Sequence, residues 1–501
     1  MLADIIRLMR SCSASILISF SNTFVRVFRL IFVGRINDLT VDNAPDVEAE
    51  ASLILREYPL LTDDQYKQSR KKFINSVDDN AICALASRYN NGKFCRVVGK
   101  ASGSFNVCVF IEFHGDSTKW IVRIPIEPAF DDAWIKLKSE VATMRYLKLE
   151  TQVPVPIVHA YGRDVCLTSA NERTQMFLIT EFIHGCSLNK KLLINAKNEH
   201  RTRFFSQLID ILAELRRLEF PAIGSLTLSS DGSSGPDVGP VISMSAITLR
   251  QPHHRTLSLA HRLPHKPFAS TVDYMEYQIN LVSDFISIPV ADLTEDDIKE
   301  EIAAFYAMKE AVRELSGRSA DGEPFVLHHQ DMRGANIIVD DELNIQGIID
   351  WEFTSTIPRR IFTPPSWITG HDPDEGSEET HAEFFDILVK KGKADGRFAK
   401  LKQEWYGDGG IDQKNPGFCI AHVFRRPLDV LDIFSPLDES GESCKEQLSG
   451  LFTQSVTLAQ VVHSRVEQCG RYTEWLKQND LYITEVDRLF ARSEALKAKF
   501  Q

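Results

Sequence analysis

The chain has 501 residues, 43% of them hydrophobic and 25% charged, with a formal net charge of −12. That length holds two or three domains, and the acidic balance excludes general nucleic-acid binding, which needs a basic surface to displace counterions. The nine cysteines stand apart with no CxxC pair, which excludes a disulfide framework or zinc cluster and suits a reducing compartment.

The first residues differ from the rest. Up to position 38, Arg7, Arg10, Arg26, Arg29 and Arg35 face only Asp4 and Asp38. In TFVRVFRLIFV (23–33) a helix would put Arg26 and Arg29 on one face and Phe24, Val27, Phe28 and Ile31 largely on the other. Arg-rich, Ser-rich, acid-poor and amphipathic is the description of a mitochondrial transit segment, read here over 1–36. No stable membrane span is expected, because each arginine near the centre of one costs about 2.5–3.5 kcal/mol. The mitochondrion is the preferred location. A cytoplasmic protein whose extension has no targeting role is the alternative.

Residues 37–90 read as a polar, helical extension. A β-rich region follows over 91–185. VCVFIEF (107–113), the turn-like HGDSTK and WIVRIP (120–125) predict a hairpin, with Gly99, Ser102, Gly103 and Ser104 in a loop just upstream. In DDAWIKLKSEVATMRYLKL, apolar Trp134, Leu137, Val141, Met144 and Leu147 recur at helical spacing behind Asp131 and Asp132. MFLITEFIHGCSL (176–188) predicts a strand ending at Gly185. Residues 186–501 turn mainly helical, with helices expected over 201–217, 271–318, 376–404 and 442–499. QPHHRTLSLAHRLPHKP (251–267) reads as a solvated insertion. Its His253, His254, His261 and His265 lack the cysteines and clean spacing of a zinc site. Strands first and helices later predict an α+β, two-lobed layout.

The stretch FVLHHQDMRGANIIVDDELNIQGIIDWEF (325–353) carries the chemistry. IIV and IQGII flank the turn DDELN, a hairpin signal. Pairing Val339 with Ile345 sets Asn336 opposite Ile348 and brings Asp350 to the same face. An amide oxygen and a carboxylate then reach one cation, with Asp331 arriving on the preceding loop. Magnesium takes oxygen ligands and commonly only one or two from protein, which Asn336 and Asp350 supply. Asp331 is left to orient an attacking hydroxyl or accept its proton. His329 reads as an ordering residue of the loop, and His328 as its packing neighbour.

His329-x-Asp331-x4-Asn336 followed by IIDWE resembles the catalytic and metal-binding segments of the aminoglycoside phosphotransferase-like kinases, of fungal type. Over about residues 90–370 the other pieces fall in the family's order. The resemblance implies a protein-kinase-like fold with a β-rich N-lobe and a helical C-lobe, binding ATP and Mg2+ between them. It implies that Gly99, Gly103 and Ser104 cover the phosphates, that Arg123 contacts phosphate while paired with Glu140, and that Glu181 and Ile183 in TEFIHG flank adenine. Arg123 stands where most kinases carry lysine. Asp-Trp-Glu instead of Asp-Phe-Gly tells against an ordinary protein kinase. The implied activity is phosphoryl transfer to a hydroxyl of a small molecule, whose identity the sequence does not show. An ATP-binding pseudokinase with a regulatory or assembly role is the alternative. The acidic run 371–386 would welcome a basic amine acceptor.

Overall fold

The computed structural model describes residues 58–115, 117–127, 133–169, 173–229, 235–254, 263–317, 324–372, 377–412, 415–435, 452, 455–484, 486–487, 489–490 and 493. The targeting segment expected over 1–36, Asp131, Asp132 and His261 lie outside the described residues.

Two helices come first, α1 (Asp63–Ser76) and α2 (Asp79–Tyr89). Thr62 and Gln65 form a reciprocal capping box that starts α1. Strands β1 (Cys95–Ser102), β2 (Asn106–Phe113) and β3 (Lys119–Pro125) follow, then helix α3 (Ala133–Glu150), then β4 (Val158–Val165) and β5 (Gln175–Glu181). The five strands form one antiparallel sheet ordered β1-β2-β3-β5-β4. In β2 alternate residues Val107, Val109 and Ile111 are buried beside Val122 and Ile124 of β3, as a pleat with one face on a core requires. Leu137, Val141, Met144 and Leu147 of α3 are buried as the spacing predicted. Lys136 and Glu140 on the same helix are also buried.

The helical part contains a two-residue strand, β6 (Cys186–Ser187), and helix α4 (Asn198–Arg217), then α5 (Thr271–Phe285) and α6 (Glu295–Ser316). Strand β7 (Phe325–His328) leads into the loop bearing Asp331. Strands β8 (Ile337–Val339) and β9 (Ile345–Ile348) form the hairpin, and β10 (Ser355–Ile357) returns to pair with β7. Helices α7 (Glu378–Ala394), α8 (Gly396–Tyr406), α9 (Pro416–Arg425) and α10 (Val456–Gln478) complete it. The fold is the α+β, two-lobed arrangement that the element order predicted, and the kinase-like one that the resemblance implied.

The two parts meet at the segment 182–187. β6 pairs with β8, Ser187 opposite Ile338. Gly185 has φ +134°, and a Cβ there would lie 2.4 Å from the Val339 carbonyl oxygen, so only glycine brings the connector this close. At Gly347 a Cβ would lie 2.1 Å from Cδ1 of Ile183, so this glycine seats the connector's isoleucine on the hairpin.

Four expectations are corrected. The hairpin does pair Val339 with Ile345, but a bulge shifts the register so that Ile337 faces Ile348. The Ile349 amide, not Ile348, bonds the Asn336 carbonyl (2.9 Å). β5 ends at Glu181, short of Gly185. Gly99 and Ser102 lie inside β1, with Gly99 beside a bulge, and the exposed loop is only Gly103–Ser104. The start of the 251–267 insertion is not solvated: His253 stacks on Tyr66 of α1 (3.9 Å), and buried His254 bonds the Thr248 carbonyl (3.0 Å). Burial against α1 overrides the polar composition.

Candidate active site

β7 is a fully buried strand between β10 and the short strand at Glu219–Phe220. It delivers the 329–336 loop from a rigid base. His329 is buried, and its Nδ1 accepts the Asp331 amide (3.2 Å) while Nε2 meets the Ile349 carbonyl (3.0 Å). Those two bonds fix the tautomer with the proton on Nε2. One imidazole thereby ties the Asp331 loop to the Asp350 strand, the ordering role expected of it. Trp351 packs edge-on against His329 (4.6 Å), and Trp367 of the downstream PPSW segment donates to the Met332 carbonyl (3.0 Å).

Asp331 is held from two sides. Asn336 Nδ2 donates to its Oδ2 (3.0 Å) and its backbone oxygen (2.8 Å), and Arg333 Nε lies 3.1 Å from Oδ2. Asn336 commits its amide nitrogen to these bonds, which leaves its Oδ1 as an oxygen donor. Asp350 stands at φ +65°, a left-handed conformation costing about 1–3 kcal/mol that clusters at functional sites. Its Oδ1 bonds Arg123 Nη2 (2.9 Å), which leaves the second carboxylate oxygen without a hydrogen-bond partner among the described residues. Two hard oxygens from Asn336 and Asp350 fit magnesium, which completes its shell with phosphate and water.

The sheet side brings cations to meet this strand. Arg123 of β3 bonds Glu140 of α3, as predicted, and also Asp350 and Glu352 (3.4 Å). Lys136, one turn before Glu140, bonds Glu352, and Asn106 donates to the same carboxylate (2.9 Å). The Lys136 ammonium lies over the rings of Phe105 (5.5 Å) and Phe353 (5.2 Å). The departures from the common kinase motifs thus belong together. Arginine on β3 reaches past Glu140 to Asp350, and the glutamate that ends Asp-Trp-Glu occupies the added lysine. Two cations, Arg123 and Lys136, face the three carboxyl groups of Glu140, Asp350 and Glu352.

Burial pushes the Glu140 carboxyl up to about 7 against the pull of Arg123, with the Glu352 and Asp350 charges adding to the rise. Arg123 rises well above its ordinary value: burial opposes the cation, and Glu140, Asp350 and Glu352 together overcome that.

Of the other expected residues, Gly103 and Ser104 form the exposed tip between β1 and β2. Arg70 of α1 donates to the Gly103 carbonyl (2.5 Å), and Phe105 packs edge-on against Phe353 (5.1 Å). The Glu181 carboxylate accepts the Ile157 amide (3.1 Å), so its side chain serves the local backbone. Ile183 lies at the connector against Gly347. Arg333, Lys136, Glu352 and Trp367 were not singled out from the sequence. The Lys136–Glu140 spacing of four, which puts both on one helix face, was the available signal.

Burial holds His328 and His329 below the ordinary imidazole range. It lowers His254 to about 4 and His371 to about 4 as well. The folded protein refuses protons that the unfolded chain accepts below about pH 6.5. Stability should therefore be full above that pH and fall towards about pH 4, by up to about 1.4 kcal/mol per pH unit for each such histidine. Glu140 works in the opposite direction but is one group against four. Urea midpoints that drop steeply below about pH 6.5 are expected, and a flat profile would contradict this burial.

Among curated proteins, the clavilactone A biosynthesis cluster protein Y of Ampulloclitocybe clavipes is 25% identical over 251 residues, 48% of this chain and 55% of that protein. Altered inheritance of mitochondria protein 9, mitochondrial, of Candida albicans (strain WO-1) is 29% identical over 216 residues, 42% of this chain and 30% of that protein. The matches span about half or less of these relatives' length. Among solved structures, Plasmodium vivax ethanolamine kinase is 13% identical with a TM-score of 0.38, covering 74% of this chain and 81% of that one. The ADP-bound aminoglycoside phosphotransferase APH(2'')-Ib is 13% identical with a TM-score of 0.38, covering 77% and 99%. The model of the phosphotransferase enzyme family, APH, matches residues 109–360, just over half of the chain, from within β2 to beyond the return strand β10. The chain belongs to that family.

Proposed function

We propose that the protein is an ATP- and Mg2+-dependent phosphotransferase that moves the γ-phosphate to a hydroxyl of a small molecule. The observation that carries this reading is the joint geometry of Asp331, Asn336 and Asp350. One carboxylate is oriented by an amide and an arginine, and two further oxygen donors are left uncommitted beside it.

Magnesium, when bound, would neutralise phosphate charge. Asn336 Oδ1 and Asp350 would hold it. Asp331 would orient the acceptor hydroxyl and take its proton. Arg123, braced by Glu140, would contact phosphate when a nucleotide competes with Asp350 for its guanidinium. The Gly103–Ser104 tip would cover the phosphates, and the connector at Glu181 and Ile183 would flank adenine. Such catalysis is positioning and charge stabilisation, with no covalent nucleophile.

The test is nucleotide binding by calorimetry. Asp350→Asn keeps a bond to Arg123 while removing the metal ligand's charge. It should weaken ATP binding about tenfold or more with Mg2+ and little without it. Equal affinity in both conditions would remove Asp350 from the metal site. The engagement of Arg123 by three carboxylates supports a second reading, an ATP-binding pseudokinase. The mitochondrial name of the Candida relative supports a mitochondrial location. A processed N-terminus near Asn37 on protein isolated from mitochondria would bear that out, and an intact Met1 would contradict it.

A further inference from the structure

A cavity of about 30 Å³ opens behind Gln330, the residue immediately before Asp331. Its polar wall is formed by Tyr274 and Gln278 of α5, His328, Gln330, Ser355 and Arg425. Gln330 donates to Ser355 Oγ (2.9 Å), and Gln278 Nε2 lies 2.8 Å from the Tyr274 hydroxyl. Three polar atoms of this wall are sealed from solvent and bonded to nothing among the described residues: Arg425 Nη2, Gln278 Oε1 and His328 Nδ1.

Buried polar atoms are nearly always satisfied, so three orphans around one cavity require an explanation. Arg425 sets its character. Its Nε donates to the Ala421 carbonyl (2.9 Å), and no described carboxylate forms an ion pair with it. The two carboxylates whose charges act on it are each bonded elsewhere, Asp331 to Arg333 (3.1 Å) and Asn336, and Asp372 to Arg426 (3.1 Å). Burial pushes Arg425 down to about 10, which still leaves it a cation at neutral pH. A buried cation without an ion-pair contact is destabilising, and ordered water would satisfy its hydrogen bond but add no opposite charge.

We propose that this cavity receives an oxyanion carried by the acceptor, with Arg425 as its counter-ion and Gln278 Oε1 accepting a bond from a neighbouring hydroxyl. The inference rests on the phosphotransfer reading for the word acceptor, and on the cavity alone for the anion. A space of this size takes a few waters or one carboxylate or phosphate head, so the rest of the molecule would extend past Gln330 towards Asp331. There its hydroxyl oxygen would bond the γ-phosphorus as the bond to the bridging oxygen breaks, ADP leaves, and the hydroxyl proton passes to Asp331. The acceptor class is then a small hydroxylated anion, opposite to the basic amine that the acidic 371–386 run suggested.

The experiment uses the full chain with ADP and Mg2+, and measures binding of glycerate, gluconate, glycerol 3-phosphate and inorganic phosphate beside uncharged glycerol and sorbitol. Binding of at least one anion to the wild type, weakened about tenfold or more in Arg425→Gln and largely kept in Arg425→Lys, is expected. The carboxylate and phosphate probes identify which oxyanion is taken. Near-UV circular dichroism checks the fold, and Gln278→Leu provides a second variant that should weaken the hydroxylated anions more than inorganic phosphate. No binding by any anion, or binding indifferent to Arg425→Gln, overturns the proposal and leaves water in the cavity. Turnover assays with the same compounds separate the two readings. Uncharged alcohols phosphorylated equally by wild type and Arg425→Gln would sink the anion site and keep phosphotransfer. Arg425-dependent anion binding with no turnover from any compound would keep the site and sink phosphotransfer.

Discussion

Asp331→Ala is expected to slow acceptor phosphorylation by about 10²-fold or more, the usual contribution of a positioned general base, while Mg2+-dependent ATP affinity changes by less than about threefold. The split follows from the geometry. Asp331 is fixed by Asn336, Arg333 and the His329 imidazole, all within its own loop. The oxygens suited to the metal belong instead to Asn336 and Asp350. Removing the Asp331 carboxylate costs the Asn336 amide nitrogen one of its two bonds, keeps the one to the backbone oxygen of residue 331, and touches neither metal oxygen. Steady-state kinetics beside calorimetry would read the two effects separately. Loss of nucleotide affinity in step with activity would mean that Asp331 supports the fold of the metal site and does not act on the acceptor.

The second large effect concerns stability. Lys136→Met should destabilise the protein by about 3–5 kcal/mol, because removing one partner of a buried ion pair leaves the other charge uncompensated. Lys136 and Glu352 are 2% and 4% exposed, so solvent cannot replace the lost bond. Asn106 and Arg123 remain on Glu352 but already serve it. The double variant Lys136→Met/Glu352→Gln should recover most of the loss, since a neutral amide tolerates burial far better than a lone carboxylate. Urea unfolding of the wild type, both single variants and the double variant gives the coupling directly. Additive losses would show that the two groups stabilise the fold independently.

The fold was legible because local patterns and tertiary burial agree. Alternation in 107–113 and 120–125 became the central hairpin of the sheet, and the helical spacing of Leu137, Val141, Met144 and Leu147 became a buried helix face. The loop of His329, Asp331 and Asn336 was readable as one unit because its residues bond one another within eight positions. What sequence spacing could not show was closure across the sheet. Glu352 meets Lys136 and Asn106 from more than two hundred residues away, a contact without local periodicity. Hairpin register failed for a different reason. A bulge adds one residue that apolar runs do not signal. Only the start of the 251–267 insertion was misread, because polar composition says nothing about an aromatic partner, and Tyr66 of α1 supplies one.

The most direct test of the central claim is a time course of ADP formation by purified protein with ATP, Mg2+ and a panel of hydroxylated metabolites, with phosphate incorporation into the metabolite followed by 31P NMR. The account predicts that at least one metabolite raises ADP formation well above the background of ATP alone. It also predicts that phosphate appears on that metabolite's oxygen, that Asp331→Ala slows this by about 10²-fold or more, and that Asp350→Ala abolishes it. Mg2+-dependent ATP binding through Asp350, with no transfer to any compound, would contradict the account and leave a nucleotide-binding pseudokinase.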